Sequence, residues 1–547
     1  MNARVAARTT AALVLLLLAL RLLYAATLRV NSDEPQHLHV VWAWTRGLLP
    51  YRDVFDNHAP LFQLLAAPLL ALVGEHDSAI VWMRVAMIPW YAIVLACTWT
   101  LAAQLFDRRV AAWSTMLTAV LPVFFVTSTQ FRPDVAWAAL WMAMLCVAFG
   151  TPLTPRRAGL AALLGGAMLA VSLKSVLLLG GLVGALATVG CFGLASGRRV
   201  HPGRWWPHAL AAAAGLALVP SAFCVFFASQ GAWDAFVYGI IGHNVLPGLG
   251  RWSHGAAGMW IAAAFLLPAW AIAHRLLRTR DGLHRATLLL TCAYVGIAVT
   301  GFWPLYTHQD LLPFIPLALI FACAAAATCL RPGAHRIVMP AVLALEVIAL
   351  VLTYPPDGRS VGDYRAELRA LLRLTDADDY VMDAKGQSIF RHRPYYYALE
   401  SITRERLRRG LLPDDVAARM AAHGTPVVFE PGERLAEVAH DFIERNYLAV
   451  TPLIRVLGQR LDATGAGVPR DFVIAVPSRY DLVSACGPAR GVLDGTAFTG
   501  PRELAAGPHR FVSETDCAVA VVWGKAVERG FAPSALASAD APLPPSP

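Results

Sequence analysis

Through residue 354 the chain is written in long apolar runs, and beyond it the pattern breaks into short alternations. A run of about 20 apolar residues is long enough to cross about 30 Å of hydrocarbon as a helix. Eleven runs predict spans, at 10–28, 79–104, 110–127, 134–150, 158–173, 175–195, 208–229, 256–274, 286–303, 311–330 and 336–354. The two runs flanking Lys174 are separated by almost no loop, so they also read as one broken or re-entrant segment. Arg21 interrupts the first run and further spans follow it, which favours a retained helix over a cleaved signal peptide.

Basic residues in short loops stay cytoplasmic, so their distribution orients the spans. Arg4/Arg8, Arg108/Arg109, Arg156/Arg157, Arg198/Arg199/Arg204, Arg275/Arg278/Arg280/Arg285 and Arg331/Arg336 fall in alternate loops. Under eleven spans they share one side, whose acids are Asp107 and Asp281. The opposite loops carry Asp33, Glu34, Asp53, Asp56, Glu75, Asp77, Asp134, Asp234 and Asp310. The expectation is a multi-pass protein of the cytoplasmic (inner) membrane, N-terminus inside and C-terminal region extracytoplasmic.

Composition agrees. Of 547 residues 57% are hydrophobic and 15% charged, with mean hydropathy +0.52, against about a quarter charged in an average soluble protein. The net charge of +9 is not a nucleic-acid signal once located. Residues 1–354 hold 23 Lys+Arg and 12 Asp+Glu, and residues 355–547 hold 23 and 25. The excess belongs to the membrane loops, and no nucleic-acid partner is expected. Seven of nine cysteines lie in apolar runs as packing residues. Cys486 and Cys517 lie in the outer region, where a disulfide is permitted without being required.

Candidate chemistry clusters on one side. The first outer loop, 29–78, reads Asn31-Ser-Asp-Glu-Pro-Gln-His-Leu-His39, Gly47-Leu-Leu-Pro-Tyr-Arg-Asp53 and Asp56-Asn-His-Ala-Pro60. It mixes acids, histidines and aromatics in a way that suits a packed loop better than a solvated one. Asp134 opens a span after Arg132-Pro133, where a carboxylate also serves the helix dipole. Lys174 is one of three lysines beside 43 arginines, and snorkelling is its plainer explanation. Tyr306-Thr-His-Gln-Asp310 forms a further polar group. A carboxylate can take a proton from a hydroxyl nucleophile, and Arg52, Arg132 or Lys174 can neutralise a departing phosphate. No phosphate-binding GxxxxGK[ST] loop or dinucleotide fingerprint is present.

Asp33-Glu34 after the first span, Gly47-x-x-Pro-Tyr-x-Asp53, His58-x-Pro60 and Arg132-Pro-Asp134 together resemble family-39-like membrane glycosyltransferases of the GT-C superfamily. That group includes relatives of protein O-mannosyltransferases and lipid A aminoarabinose transferases. The resemblance covers roughly residues 10–350. It implies a hexosyl- or pentosyltransferase with a polyprenyl-phosphate sugar as donor. Transfer would be to an envelope glycan, lipid or protein acceptor outside the membrane, with inversion. It implies Asp33, Glu34 and Asp134 as catalytic acids. Arg52, Asp53, His58, Arg132, Lys174 and His308 are expected substrate-binding residues. No cofactor is required by this reading; a divalent metal, held by Asp33 and Asp134, is left open. His37 and His39, two apart on a helix, point to different faces and do not make a metal pair.

The expected fold is therefore an α-helical polytopic membrane protein of about eleven spans over 1–354, carrying an extracytoplasmic α/β plus β region. That region divides into an α/β domain over 355–480, a small β domain over 481–532 and a disordered tail over 533–547. Tyr395-Tyr-Tyr397 reads as a packed helix start or a sugar-stacking group. A transporter or flippase of a lipid-linked glycan is the main alternative. It would place charges along a transmembrane path, whereas Glu346 is the one acid inside a predicted span. A non-catalytic assembly protein is the other alternative.

Overall fold

The computed structural model describes residues 3–195, 205–249, 255–279, 282–303, 305–429, 437–461 and 465–533. The expected tail from 534 onward, and Arg198, Arg199, Arg204, Arg280 and Asp281 of the loop-charge pattern, lie outside these residues. By its own contacts the chain forms two compact units. The first comprises Met1–Leu28, Asn57–Leu69 and Val81–Gly358; the second comprises Arg29–Asp56, Leu70–Ile80 and Arg359–Pro547.

The first unit is helical, and each of the eleven apolar runs lies on helix. Among the described residues six helices are long and apolar enough to cross a membrane: Thr10–Thr27, Ala79–Leu105, Ser175–Gly193, Trp206–Ser229, Gly282–Gly301 and Gly333–Thr353. Arg108–Val120 and Pro122–Thr129 make a seventh if their 60° bend is one broken span. Pro133–Ala148, Ala264–Leu276 and Phe314–Cys329 are apolar but shorter. The segments around Lys174 are two helices, Pro155–Val171 and Ser175–Ala195. Leu61–Val73, which the sequence pattern left inside a loop, is an apolar helix of 13 residues. At 1.5 Å per residue it is about 20 Å long, too short to span.

Buried cations finish the helix ends. The bend follows from Pro122, which has no N–H to give the preceding turn. Arg21 donates to the carbonyls of Phe125 (2.8 Å) and Ser128 (2.6 Å) and to the Ser128 hydroxyl (2.9 Å). Those groups close the second half of the broken pair. The Arg21 guanidinium lies 4.1 Å from the Tyr91 ring centroid, and the Tyr91 hydroxyl donates to the Ala119 carbonyl beside the break (2.6 Å). Arg84 likewise donates to Ala25 (3.2 Å) and Leu28 (2.8 Å), at the end of the first helix. The C-terminal carbonyls of a helix have no partner of their own, and hydrocarbon offers none. Elsewhere Pro155–Val171 and Trp206–Ser229 meet backbone to backbone. A Cβ on Gly215 would stand 2.3 Å from the Gly159 carbonyl, so glycine allows the approach.

The second unit joins the helix Asp33–Thr45 and the segment Leu70–Ile80 to the C-terminal region. Its strands are β1 (Val381–Met382), β2 (Val427–Phe429), β3 (Tyr447–Ala449), β4 (Ile454–Leu461), β5 (Pro469–Ile474), β6 (Ser478–Ser484), β7 (Gly487–Pro488), β8 (Gly491–Leu493), β9 (Thr496–Ala497), β10 (Arg502–Leu504), β11 (Gly507–Ser513) and β12 (Val519–Trp523). Among the described residues one sheet runs β1-β2-β4-β12-β6-β10, with β3 on β4 and β7 on β6. The β1–β2 pair is parallel and the other pairs are antiparallel. A second sheet runs β5-β11-β8-β9. The expected domain boundary at 480 falls within β6. Strand β12, apolar and buried at all five positions, is a central strand of the first sheet. Cys486 and Cys517 form a disulfide.

Arg21→Leu removes the donors to three acceptors at the broken helix. We expect a loss of about 2–4 kcal/mol in stability, read as a lower melting temperature in detergent. Arg21→Lys should recover part of it, and an unchanged melting temperature for Arg21→Leu would dismiss the capping role.

Candidate active site

Asp33 opens the helix Asp33–Thr45. Ahead of it Asn31 makes a local turn, its side chain accepting from the Asp33 N–H (3.0 Å). Glu34 reaches back to the Asn31 N–H (2.9 Å) and is fully buried. The two neighbouring acids thus differ: Glu34 closes the turn, while Asp33 is partly exposed and faces a cation. That cation is Lys385, whose Nζ donates to Asp33 Oδ1.

Lys385 sits on a tightly tied loop. The Asp383 carboxylate accepts from the Gly386 N–H and from both the N–H (2.9 Å) and hydroxyl of Ser388. Arg393 pairs with Asp383 at 3.0 Å and holds the Asp383 (3.0 Å) and Tyr397 (3.0 Å) carbonyls. The Lys385 N–H donates to Gln387 Oε1 (2.6 Å). Gly386 has φ +82°, and a Cβ there would meet His39 Cβ at 3.0 Å and Gln36 Cα at 3.3 Å. Glycine therefore both permits the turn and lets the loop lie against the helix.

Burial holds His39 at a pKa of about 4, against a smaller opposing pull from Asp383. His39 is neutral at pH 7, and its Nδ1 stands 2.8 Å from the Ile389 carbonyl. A carbonyl only accepts, so Nδ1 carries the proton. Glu75 ties the same helix to the soluble region. It accepts from Trp42 Nε1 (3.0 Å) and Arg391 (3.0 Å) and pairs with Arg46. Burial pulls the Glu75 pKa upward, but the Trp42 and Arg46 hydrogen bonds and the neighbouring guanidinium charges hold it below its ordinary value. Asp77, almost buried, accepts from Arg365 (3.1 Å) and Arg369 (3.0 Å). Arg52 and Asp53 pair with each other through two contacts of 2.8 and 2.9 Å, and Asp53 also accepts from the Leu49 N–H (2.8 Å).

The remaining expected residues lie in the helical unit. Arg132 Nε donates to Asp134 Oδ2 at 2.9 Å, and both are nearly buried. Asp134 is in the first turn of Pro133–Ala148, whose N-cap Arg132 supplies no side-chain cap. Lys174 does not merely snorkel. It pairs with the buried Asp310, which also accepts from the Thr307 N–H (2.9 Å) and hydroxyl (3.1 Å), and it lies 5.3 Å from the Trp303 ring centroid. His308 is exposed on the short turn His308–Leu311, and His58 is half-buried. Within this unit the structure joins Arg132 to Asp134 and Lys174 to Asp310. Within the other it joins Asp33 to Lys385 and Arg52 to Asp53.

Lys385, Asp383 and Gly386 were missed by the sequence reading. The scarcity of lysine that singled out Lys174 applies equally to Lys385 and was the available signal. Asp33 and Asp134, the carboxylates a divalent metal would draw on, already hold Lys385 and Arg132. Among the described residues no group of three or more His, Cys, Asp or Glu converges as a metal site. These residues do not fit a metal, and no step is derived through one.

Residues 57–223 match the family described as dolichyl-phosphate-mannose-protein mannosyltransferase. Among solved structures, the chain is similar to ArnT from Cupriavidus metallidurans. The apo form aligns with TM-score 0.55 and 13% identity, over 82% of this chain and 98% of that one. The form bound to undecaprenyl phosphate aligns with TM-score 0.56 and 13% identity, over 83% and 98%. No curated protein matches the chain. The resemblance to family-39-like membrane glycosyltransferases of the GT-C superfamily is borne out: residues 57–223, which include Arg132-Pro-Asp134, match that family model, and the chain shares the ArnT fold and has a strand-rich C-terminal region.

Two predictions follow from the loop geometry. Gly386→Ala should destabilise the protein by about 1–3 kcal/mol through strain and the close approach to His39, measured by thermal melting; a neutral effect would contradict the packed-loop geometry. His39 has a folded-state pKa below its ordinary 6.5, so the unfolded chain takes up its proton first on acidification. The stability owed to neutral His39 is present above pH 6.5 and is lost as pH falls toward 4. The melting temperature of His39→Gln should fall less steeply across that window than that of the parent.

Proposed function

We propose that the protein transfers a hexosyl or pentosyl unit from a polyprenyl-phosphate donor to an acceptor outside the cytoplasmic membrane, with inversion at the anomeric carbon. The observation that carries this reading is the fold shared with ArnT over nearly all of that protein's length, one form of which is bound to undecaprenyl phosphate. The mannosyltransferase family match over 57–223 supports it. The acceptor is an envelope glycan, lipid or protein.

In the proposed reaction the acceptor hydroxyl attacks C1 of the donor sugar. Asp33 takes the hydroxyl proton as general base, and the C1–O bond breaks with its electron pair leaving on the lipid phosphate. Lys385 fixes the position of Asp33 through its contact to Oδ1. Arg132 and Lys174 are assigned to the charge of the departing phosphate, a role that fixed cations fill without reorganising. Each already holds an acid, Asp134 or Asp310, which sets its direction before substrate arrives. The disulfide Cys486–Cys517 supports an extracytoplasmic soluble region, because disulfides persist in oxidising compartments. The loop charges support the same orientation.

The test is transfer by purified protein from a panel of labelled polyprenyl-phosphate sugars to envelope extract. Asp33→Asn should lower the rate by about 100-fold or more with the melting profile retained, and the product anomer, read by NMR, should be inverted. Full activity in Asp33→Asn would remove its assignment as base. No transfer from any donor by folded parent protein would overturn the transferase reading. A C-terminal alkaline phosphatase fusion should be active, and an inactive one would reverse the proposed orientation.

A further inference from the structure

Within the second unit an open cavity of about 480 Å³ lies against the helix Asp33–Thr45, a size typical of small-ligand sites. One part of its lining is a continuous ladder of rings. His423 and Tyr380 lie 4.6 Å apart between centroids, Tyr380 and His392 5.8 Å, His392 and Trp42 5.3 Å, and Trp42 and His39 5.4 Å. A second aromatic group, Phe55 with Tyr396 and Tyr397, lines the same space, at 5.6 and 5.3 Å from Phe55. Tyr380, His392, Tyr396 and Tyr397 are half-buried, and His423 is exposed. The rings meet at ordinary packing distances, and all of them also line the void.

The polar lining is balanced in charge. Asp415 accepts from Arg419 Nε (2.8 Å), Asp53 is paired with Arg52, and Arg393 with Asp383. Burial lowers the His39 and His392 pKa values, so both imidazoles are neutral at pH 7. The site thus offers aromatic faces and hydrogen-bonding groups without an uncompensated charge for a phosphate or carboxylate. A sugar ring presents an apolar C–H face and a rim of hydroxyls, and it answers both features. We infer that this cavity binds a neutral pyranose or furanose unit, and that the unit belongs to the acceptor. The acceptor role rests on the glycosyltransferase reading; saccharide binding itself does not.

Full-length protein in detergent is tested by saturation-transfer NMR and titration against methyl glycosides of mannose, glucose, galactose, N-acetylglucosamine and arabinose, with glucuronate and glucose phosphate as charged probes. At least one neutral glycoside should bind. Tyr380→Ala should weaken it about tenfold, the size of a lost aromatic contact, and Tyr380→Phe should retain it. His423→Ala, on an exposed residue, should also weaken binding and guards against a folding defect in Tyr380→Ala. Asp33→Asn should bind like the parent while failing in transfer, which separates this inference from the catalytic assignment. The inference is overturned if no neutral glycoside binds folded parent protein. It is equally overturned if binding ignores both ring variants or if the charged probes bind more tightly.

Discussion

The last carbonyls of a helix have no partner within it, and two buried arginines of the helical unit answer that constraint. Pro122 breaks one span, and Arg21 supplies three hydrogen bonds to the end of its second half. The first helix ends at Thr27, and Arg84 reaches the carbonyls of Ala25 and Leu28. A guanidinium is suited to this work because its planar fork serves several acceptors at once and stays charged when buried. Arg21 and Arg84 are therefore scaffold, although a charge in an apolar run first suggests function.

The breaks also explain where candidate chemistry can sit. An interruption exposes helix ends and short irregular backbone, and Asp134 and Lys174 lie at two such places. Asp134 begins a helix just after the broken pair, and Lys174 lies in the gap between two helices. Both are already paired, so their charges are positioned without extended flexible reach. Trp137 fixes the neighbourhood by donating to the Ser175 hydroxyl (2.9 Å), which in turn donates to the Met168 carbonyl (2.8 Å).

How much of this was legible in the sequence depends on the distance over which each feature is encoded. Each of the eleven apolar runs lies on helix, because burial in lipid and backbone satisfaction are both local demands. Span lengths were less legible, since the apolar helices Pro133–Ala148 and Phe314–Cys329, of 16 residues each, are shorter than the six long enough to cross a membrane. Leu61–Val73 was hidden by the polar residues on either side of it. The Arg132–Asp134 pair was readable at a spacing of two. The Lys174–Asp310 pair spans 136 residues and the Asp33–Lys385 pair 352, and no local pattern encodes such meetings. The boundary expected at 480 fell inside β6 because a change in strand pattern does not reveal which strands share a sheet.

Lysine usage supplies a further step. The chain uses arginine 43 times and lysine three times, so a lysine here is a departure from the prevailing choice. All three lysines face carboxylates: Lys174 with Asp310, Lys385 with Asp33, and Lys525 with Asp376 (2.8 Å) and Asp379 (2.7 Å). An ammonium is a compact point charge, whereas a guanidinium prefers to take both oxygens of a carboxylate in a planar fork. A fork on Asp33 would occupy the oxygens that a base needs for the incoming hydroxyl. Lys385 meets Asp33 at Oδ1 as a point charge rather than as a fork across both carboxylate oxygens. In the proposed reaction a lysine at 385 is therefore better suited than the arginine used almost everywhere else, and the tied loop from Asp383 to Ser388 keeps that contact in register.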